Sequence, residues 1–68
     1  MPSKTPARRE VSVTVDGRSY RGIYVVVGGM ITVSALGQSE TTQIGRMQVE
    51  DLARLILRGI VHLWTAIA

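Results

Sequence analysis

Few residues in this 68-residue chain have side chains able to do chemistry, and they lie far apart. Catalysis of the common kinds needs a nucleophile beside a base, paired carboxylates, or a metal held by several donors. His62 is the lone histidine and there is no cysteine. One imidazole without thiolates does not make a zinc site. His62 falls at the edge of a charged helix face, where a half-exposed structural role accounts for it. Asp16 precedes Gly17 in a turn signature, and Glu50 and Asp51 stand where a helix begins. The glycines of VDGR and GGM lack the strand–glycine–helix setting of a phosphate loop, and turns account for both. No catalytic, cofactor-binding or metal-ligating residue is assigned, no cofactor is implied, and the expectation is a protein that is not an enzyme.

The elements that must carry any site are easier to read. A chain this short buries only about 60% of the surface its unfolded form exposes. Such domains are usually stapled by disulfides, a metal or association. Without cysteine, association is the staple left, which makes a homo-oligomer the expected partner arrangement, a dimer in the simplest case. The apolar fraction of 46% is too high for a disordered chain. MPSKTPARR has two prolines and three cations without apolar periodicity, so residues 1–9 are expected to form a flexible basic arm before a single domain over 10–68. No apolar stretch follows these charges, so no signal peptide is read and the cytoplasm is the expected location.

VSVTV alternates strictly and predicts a strand with one wet face. Asp16-Gly17 suits a two-residue turn with positive φ at both positions. That turn sets Val15 opposite Arg18, Val13 opposite Tyr20 and Val11 opposite Gly22. Gly28-Gly29, read the same way, sets Val27 opposite Met30 and Val26 opposite Ile31. One face then holds Val11, Val13, Val15, Tyr20, Gly22, Tyr24, Val26, Ile31, Val33 and Ala35, and this is the expected core face. LGQSE reads as a loop, and TTQI as a short fourth strand with Ile44 inward.

From Gln48 onward, Val49, Leu52, Ala53, Ile56, Ile60, Leu63, Trp64 and Ile67 recur at spacings of three and four, which predicts an amphipathic helix. Leu55 and Leu57 flank this stripe and Val61 intrudes on the polar face, so the apolar surface is wider than one sheet face demands. Met47 stands at the expected N-cap, a poor residue for it. Gly59 is a candidate break. The expected fold class is α+β: an antiparallel meander of three to four strands with one C-terminal helix packed on one face.

The other sheet face is left with Ile23, Val25, Val27 and Met30 contiguous at one hairpin end, and one helix cannot cover both sides. Such a patch marks an interaction site or an aggregation hazard, and a self-association surface is the preferred reading. The expected function is therefore a small interaction module, self-associating through this outer face or an edge strand. The alternative is a nucleic-acid-binding accessory protein. The net charge of +3 is mildly basic. Lys4, Arg8 and Arg9 on the arm, with Arg18 and Arg21 on the first hairpin, are the candidate phosphate contacts. Sheet-based single-strand binders stack bases on exposed aromatics, whereas Tyr20 and Tyr24 fall on the core face. A membrane role is not expected, because four charges in the first half of the helix exclude an ordinary span.

The segments VTVDG, GGMITVSA, TTQIG and EDLARLILRGIV together resemble a group of very small bacterial proteins. Their pattern is a strand meander with a GGM turn, a T-T-Q-hydrophobic-G segment and an ARLLLREL-like helix. The resemblance covers nearly everything after Glu10 and implies no activity. The chain departs from it at Ile23, Val25 and Val27, where the pattern is more polar, and at Met47, where a capping serine is expected.

Overall fold

The computed structural model describes residues 8–67. Four strands, β1 (Arg9–Val15), β2 (Arg18–Val27), β3 (Met30–Ala35) and β4 (Gln38–Gln43), precede one helix, α1 (Val49–Ile67). The strands form a single antiparallel sheet in sequence order, and α1 lies across one face, chiefly over β1 and β3. The architecture is α+β. Most of the arm expected over 1–9, Lys4 included, lies outside the described residues; Arg8 precedes β1 and Arg9 opens it.

Three two-residue turns set the register, and each has positive φ at both residues: Asp16 and Gly17 at 52° and 77°, Gly28 and Gly29 at 55° and 78°, Leu36 and Gly37 at 53° and 75°. These are the angles of the type I′ turn, whose twist matches that of the strands it joins. Val13 pairs with Tyr20, Val15 with Arg18, and Val27 with Met30, as the first two turns predict. The third turn corrects the reading of LGQSE as a loop. Leu36-Gly37 alone turns the chain, and β4 begins at Gln38 and runs six residues. Leucine is not a turn residue for positive φ, where its Cβ crowds the following carbonyl at a cost of about 1–2 kcal/mol. The six pairs between β3 and β4 hold it there.

The sheet's core is Val11, Val13, Tyr24, Ile31, Val33 and Ala35, closed from above by Leu52, Ala53, Leu57, Ile60 and Val61. Gly22 on β2 is the point of closest approach. A Cβ built there would stand 3.1 Å from Leu57 Cδ1, 3.1 Å from the Ser34 carbonyl oxygen and 3.3 Å from Ala35 Cβ. Gly22 and Ala35 thus leave a hollow in the sheet, and Leu57 fills it.

That seating corrects the expected helix stripe. Leu57 and Val61, read as flanking and polar-face residues, are fully buried, whereas Leu63 and Ile67 stay 51% and 74% exposed. The helix is rotated so that Leu57 points down, and its last turns overhang the core. Trp64 meets the half-buried Tyr20 ring edge-on there, with centroids 6.3 Å apart. The helix continues through Gly59, and it starts at Val49, so the capping position falls on Gln48 rather than Met47. The Gln48 carbonyl accepts the Leu52 amide at 3.0 Å. Val26, expected in the core, is 37% exposed because it lies at the sheet's end beside the start of α1. Ile44 follows β4, half-buried against the core, with its amide donating to the Gly29 carbonyl at 3.0 Å.

Gly22→Val forces either the helix or the β3 backbone to move, and overpacking of this kind costs about 1–3 kcal/mol; the expected result is a lower urea midpoint. Leu36→Asn relieves the turn, since asparagine tolerates positive φ, and raises the midpoint by an amount equivalent to about 1 kcal/mol. Paired urea melts of the two variants against the wild type check both outcomes.

Candidate functional site

The pairing places every strand residue on a face. On the face away from α1, β1 contributes Glu10, Ser12 and Thr14, and β2 contributes Ser19, Arg21, Ile23, Val25 and Val27. Met30, Thr32 and Ser34 follow on β3, then Ser39, Thr41 and Gln43 on β4. Ile23, Val25 and Val27 form a column along β2, with Met30 directly opposite Val27. Ile23 is 41% exposed, Val27 59% and Met30 37%, and Val25 is half-buried between its neighbours. The four candidate interaction residues are therefore gathered into one patch at the Gly28-Gly29 end of the sheet.

The polar groups around the patch are already occupied with one another. Thr32 and Thr41, opposite each other beside Val25, share a hydrogen bond of 2.8 Å between their hydroxyls. Glu10 and Arg21, diagonal neighbours below Ile23, form an ion pair at 3.6 Å. Among the residues of the four strands, those are the only charged ones on this face, and they pair with each other. Sequence reasoning missed both pairs. The Glu10–Arg21 diagonal was available from the Asp16-Gly17 register. The Thr32–Thr41 pair was hidden by treating LGQSE as a loop, although Gly37 in the second position of a two-residue turn was the signal for it.

The candidate phosphate contacts are not brought together. Arg21 lies on the outer face against Glu10. Arg9 and Arg18 lie on the helix side, at opposite ends of the β1–β2 ladder. Six residues of extended strand separate those two ends, about 20 Å. Tyr24 is buried under the helix and Tyr20 half-buried beside Trp64, so no aromatic ring stands on the outer face. Lys4 lies outside the described residues.

Elsewhere, an open cleft of about 530 Å³ lies between the start of α1 and the sheet, lined by Arg9, Tyr24, Val26, Gln48, Val49 and Glu50. Arg54 pairs with Glu50 at 3.8 Å and with Asp51 at 3.4 Å on the exposed side of the helix. His62 is exposed and its backbone carbonyl accepts the Thr65 hydroxyl at 3.1 Å. Among the described residues no three histidine or acidic side chains gather at one point, and no helix is long and apolar enough to cross a membrane. Comparison of the chain with family models, with curated proteins and with solved structures finds no match.

The patch residues are not among those packed against the core, so they are expected to add little to folding. Ile23→Thr, Val27→Thr and Met30→Gln each keep a side chain suited to an exposed site and are expected to change stability by under about 0.5 kcal/mol. The same substitution type at the buried Val33 costs several times more. Thermal melts at low protein concentration test the contrast.

Proposed function

We propose that this protein is a small, non-enzymatic, cytoplasmic interaction module that associates with a second copy of itself through the outer face of its sheet. One observation carries the proposal: Ile23, Val25, Val27 and Met30 form a continuous apolar patch on a face that no element among the described residues covers. Exposed apolar surface in water is unfavourable by about 25 cal/mol per Å², and a second copy of the same face removes it. Self-association also supplies the staple that a small cysteine-free domain otherwise lacks. The absence of cysteine suits a reducing compartment. Glu50 and Asp51 are both engaged by Arg54, and Asp16 sits in the first turn with no acid or histidine gathered around it, which supports a role without catalysis. Nucleic-acid binding draws no comparable support, since the arginines are spread over both faces and Arg21 is paired. The resemblance to small bacterial meander-plus-helix proteins belongs to the same proposal and adds no activity to it.

Val25→Lys is the test. Lysine at a half-exposed strand position keeps its charge in water while the chain is monomeric, but burying it between two sheets is costly. Sedimentation equilibrium over a wide concentration range is expected to show a wild type that dimerises and a Val25→Lys variant that remains monomeric. A wild type that is monomeric at every concentration reached would overturn the proposal.

A further inference from the structure

We infer that the cleft between the start of α1 and the sheet binds a small organic carboxylate. Arg9, Tyr24 and the first amides of the helix hold the anion, and Val26 and Val49 receive its apolar group. The cleft opens on the helix side of the sheet, so the inference is independent of association through the outer face. Its volume of about 530 Å³ is within the range of small-molecule sites. Strand register assembles the floor: Arg9 pairs with Tyr24 across β1 and β2, and Val26 follows two residues along on the same face. Gln48, Val49 and Glu50 form the opposite wall.

Two independent observations point to an anion. The first is Tyr24, which is only 6% exposed, yet its hydroxyl has no hydrogen-bond partner among the described residues. No described polar side-chain atom is both sealed from solvent and unpaired. The hydroxyl therefore reaches solvent, and it does so at the cleft that Tyr24 lines. A buried tyrosine ordinarily finds a partner for its hydroxyl; this one presents a donor at the foot of the cleft. The second is the start of α1. The Leu52 amide bonds back to the Gln48 carbonyl at 3.0 Å, so the amides of Val49, Glu50 and Asp51 precede the first turn's bonds. Those three have no acceptor among the described residues, because glutamine is not a capping residue and no other side chain caps the helix. Unpaired amides at the positive end of the helix dipole favour a negative ligand.

The charges around the cleft decide the class of ligand. Arg9 makes no ion pair among the described residues. Glu50 lines the cleft, but Arg54 holds its carboxylate at 3.8 Å and that of Asp51 at 3.4 Å. Glu40, on the helix side of β4, stands two strands beyond Tyr24, about 10 Å away. One guanidinium and one helix terminus thus face the cleft, against one carboxylate that is already paired. That balance suits a single negative charge, whereas a phosphate dianion would meet Glu50 with too little cation to offset it. The two oxygens of a carboxylate match the guanidinium fork, with the Tyr24 hydroxyl and the helix amides left to donate to their remaining lone pairs. Val26 is 37% exposed here, and with Val49 it sets an apolar wall beside the charge. A carboxylate bearing a hydrocarbon or aromatic group uses both.

Amide NMR titration of the full chain with phenylacetate tests the site, with inorganic phosphate and the neutral phenethyl alcohol as comparison ligands. Phenylacetate is expected to shift the Val49, Glu50 and Asp51 amides saturably, and each comparison ligand to bind at least about tenfold more weakly. A hydrogen bond to a charged group is worth about tenfold or more in affinity. Tyr24→Phe keeps the ring in the core and Arg9→Gln changes an exposed side chain, so the amide spectrum of each is expected to stay that of the folded chain. Each is expected to raise the phenylacetate Kd about tenfold. Phosphate binding as tightly as phenylacetate shows an unselective anion site and overturns the carboxylate assignment. Phenethyl alcohol binding as tightly shows an apolar hollow alone and overturns the anion site. An unchanged Kd in Tyr24→Phe or in Arg9→Gln overturns the site as built from these residues. No saturable shift with the wild type overturns the inference outright. None of these results bears on association through the outer face, which sedimentation reads separately.

Discussion

Leu57 reaches the backbone of β2 because Gly22 puts no side chain in its way. The helix is the only element available to cover the sheet, and its rotation, its height and the choice of which residues it buries all follow from that one seating. With Leu57 in the hollow between Gly22 and Ala35, Ala53, Ile60 and Val61 come down beside it and Leu52 closes the near end. The same rotation turns Leu55 and Leu63 toward solvent. A glycine in a central strand weakens the strand itself. Here the loss is offset by packing that no larger residue allows.

The sheet's second organising device is parity. Every connection between strands is two residues long and of one turn type, so a residue's face is fixed by counting from any turn. This makes the sheet two-sided in a strict sense. Valines on the odd positions of β1 lie under the helix, and the odd positions of β2 from Ile23 to Val27 lie outside it. β4 ends the sheet with polar residues on both sides, Gln38, Glu40 and Thr42 on one and Ser39, Thr41 and Gln43 on the other. The helix has little apolar surface to gain over β4, and it lies chiefly over β1 and β3. A polar last strand also makes the sheet's edge a poor surface for non-specific stacking.

How much of this was legible in the sequence depended on whether a local signal existed. Asp16-Gly17 and Gly28-Gly29 are residues that favour positive φ on their own, so both hairpins, their register and the patch at Ile23, Val25, Val27 and Met30 followed from them. Leu36-Gly37 adopts the same geometry with a leucine, so Gly37 is its one local signal and the pairing of β3 with β4 imposes the rest. The helix was legible as a helix, since its period is clear. Its buried face was not, because the apolar arc is wide enough to hold two overlapping stripes. The hollow at Gly22 decides between them, and that hollow exists only once β2 and β3 are paired. For the outer face, the apolar column was visible from parity alone, whereas the Thr32–Thr41 pair needed the third turn.

The order of elements along the chain has a consequence for folding. All strand pairing is between neighbours in sequence, and hairpins of this kind form in about 1–10 μs. The helix that covers the sheet follows all four strands, and its buried residues run from Leu52 to Val61. Until it docks, a meander already formed is bare on both sides, with Val13, Ile31 and Val33 open on one and Val25 and Val27 on the other. Seating of the Leu57 turn ends that exposure on one side only.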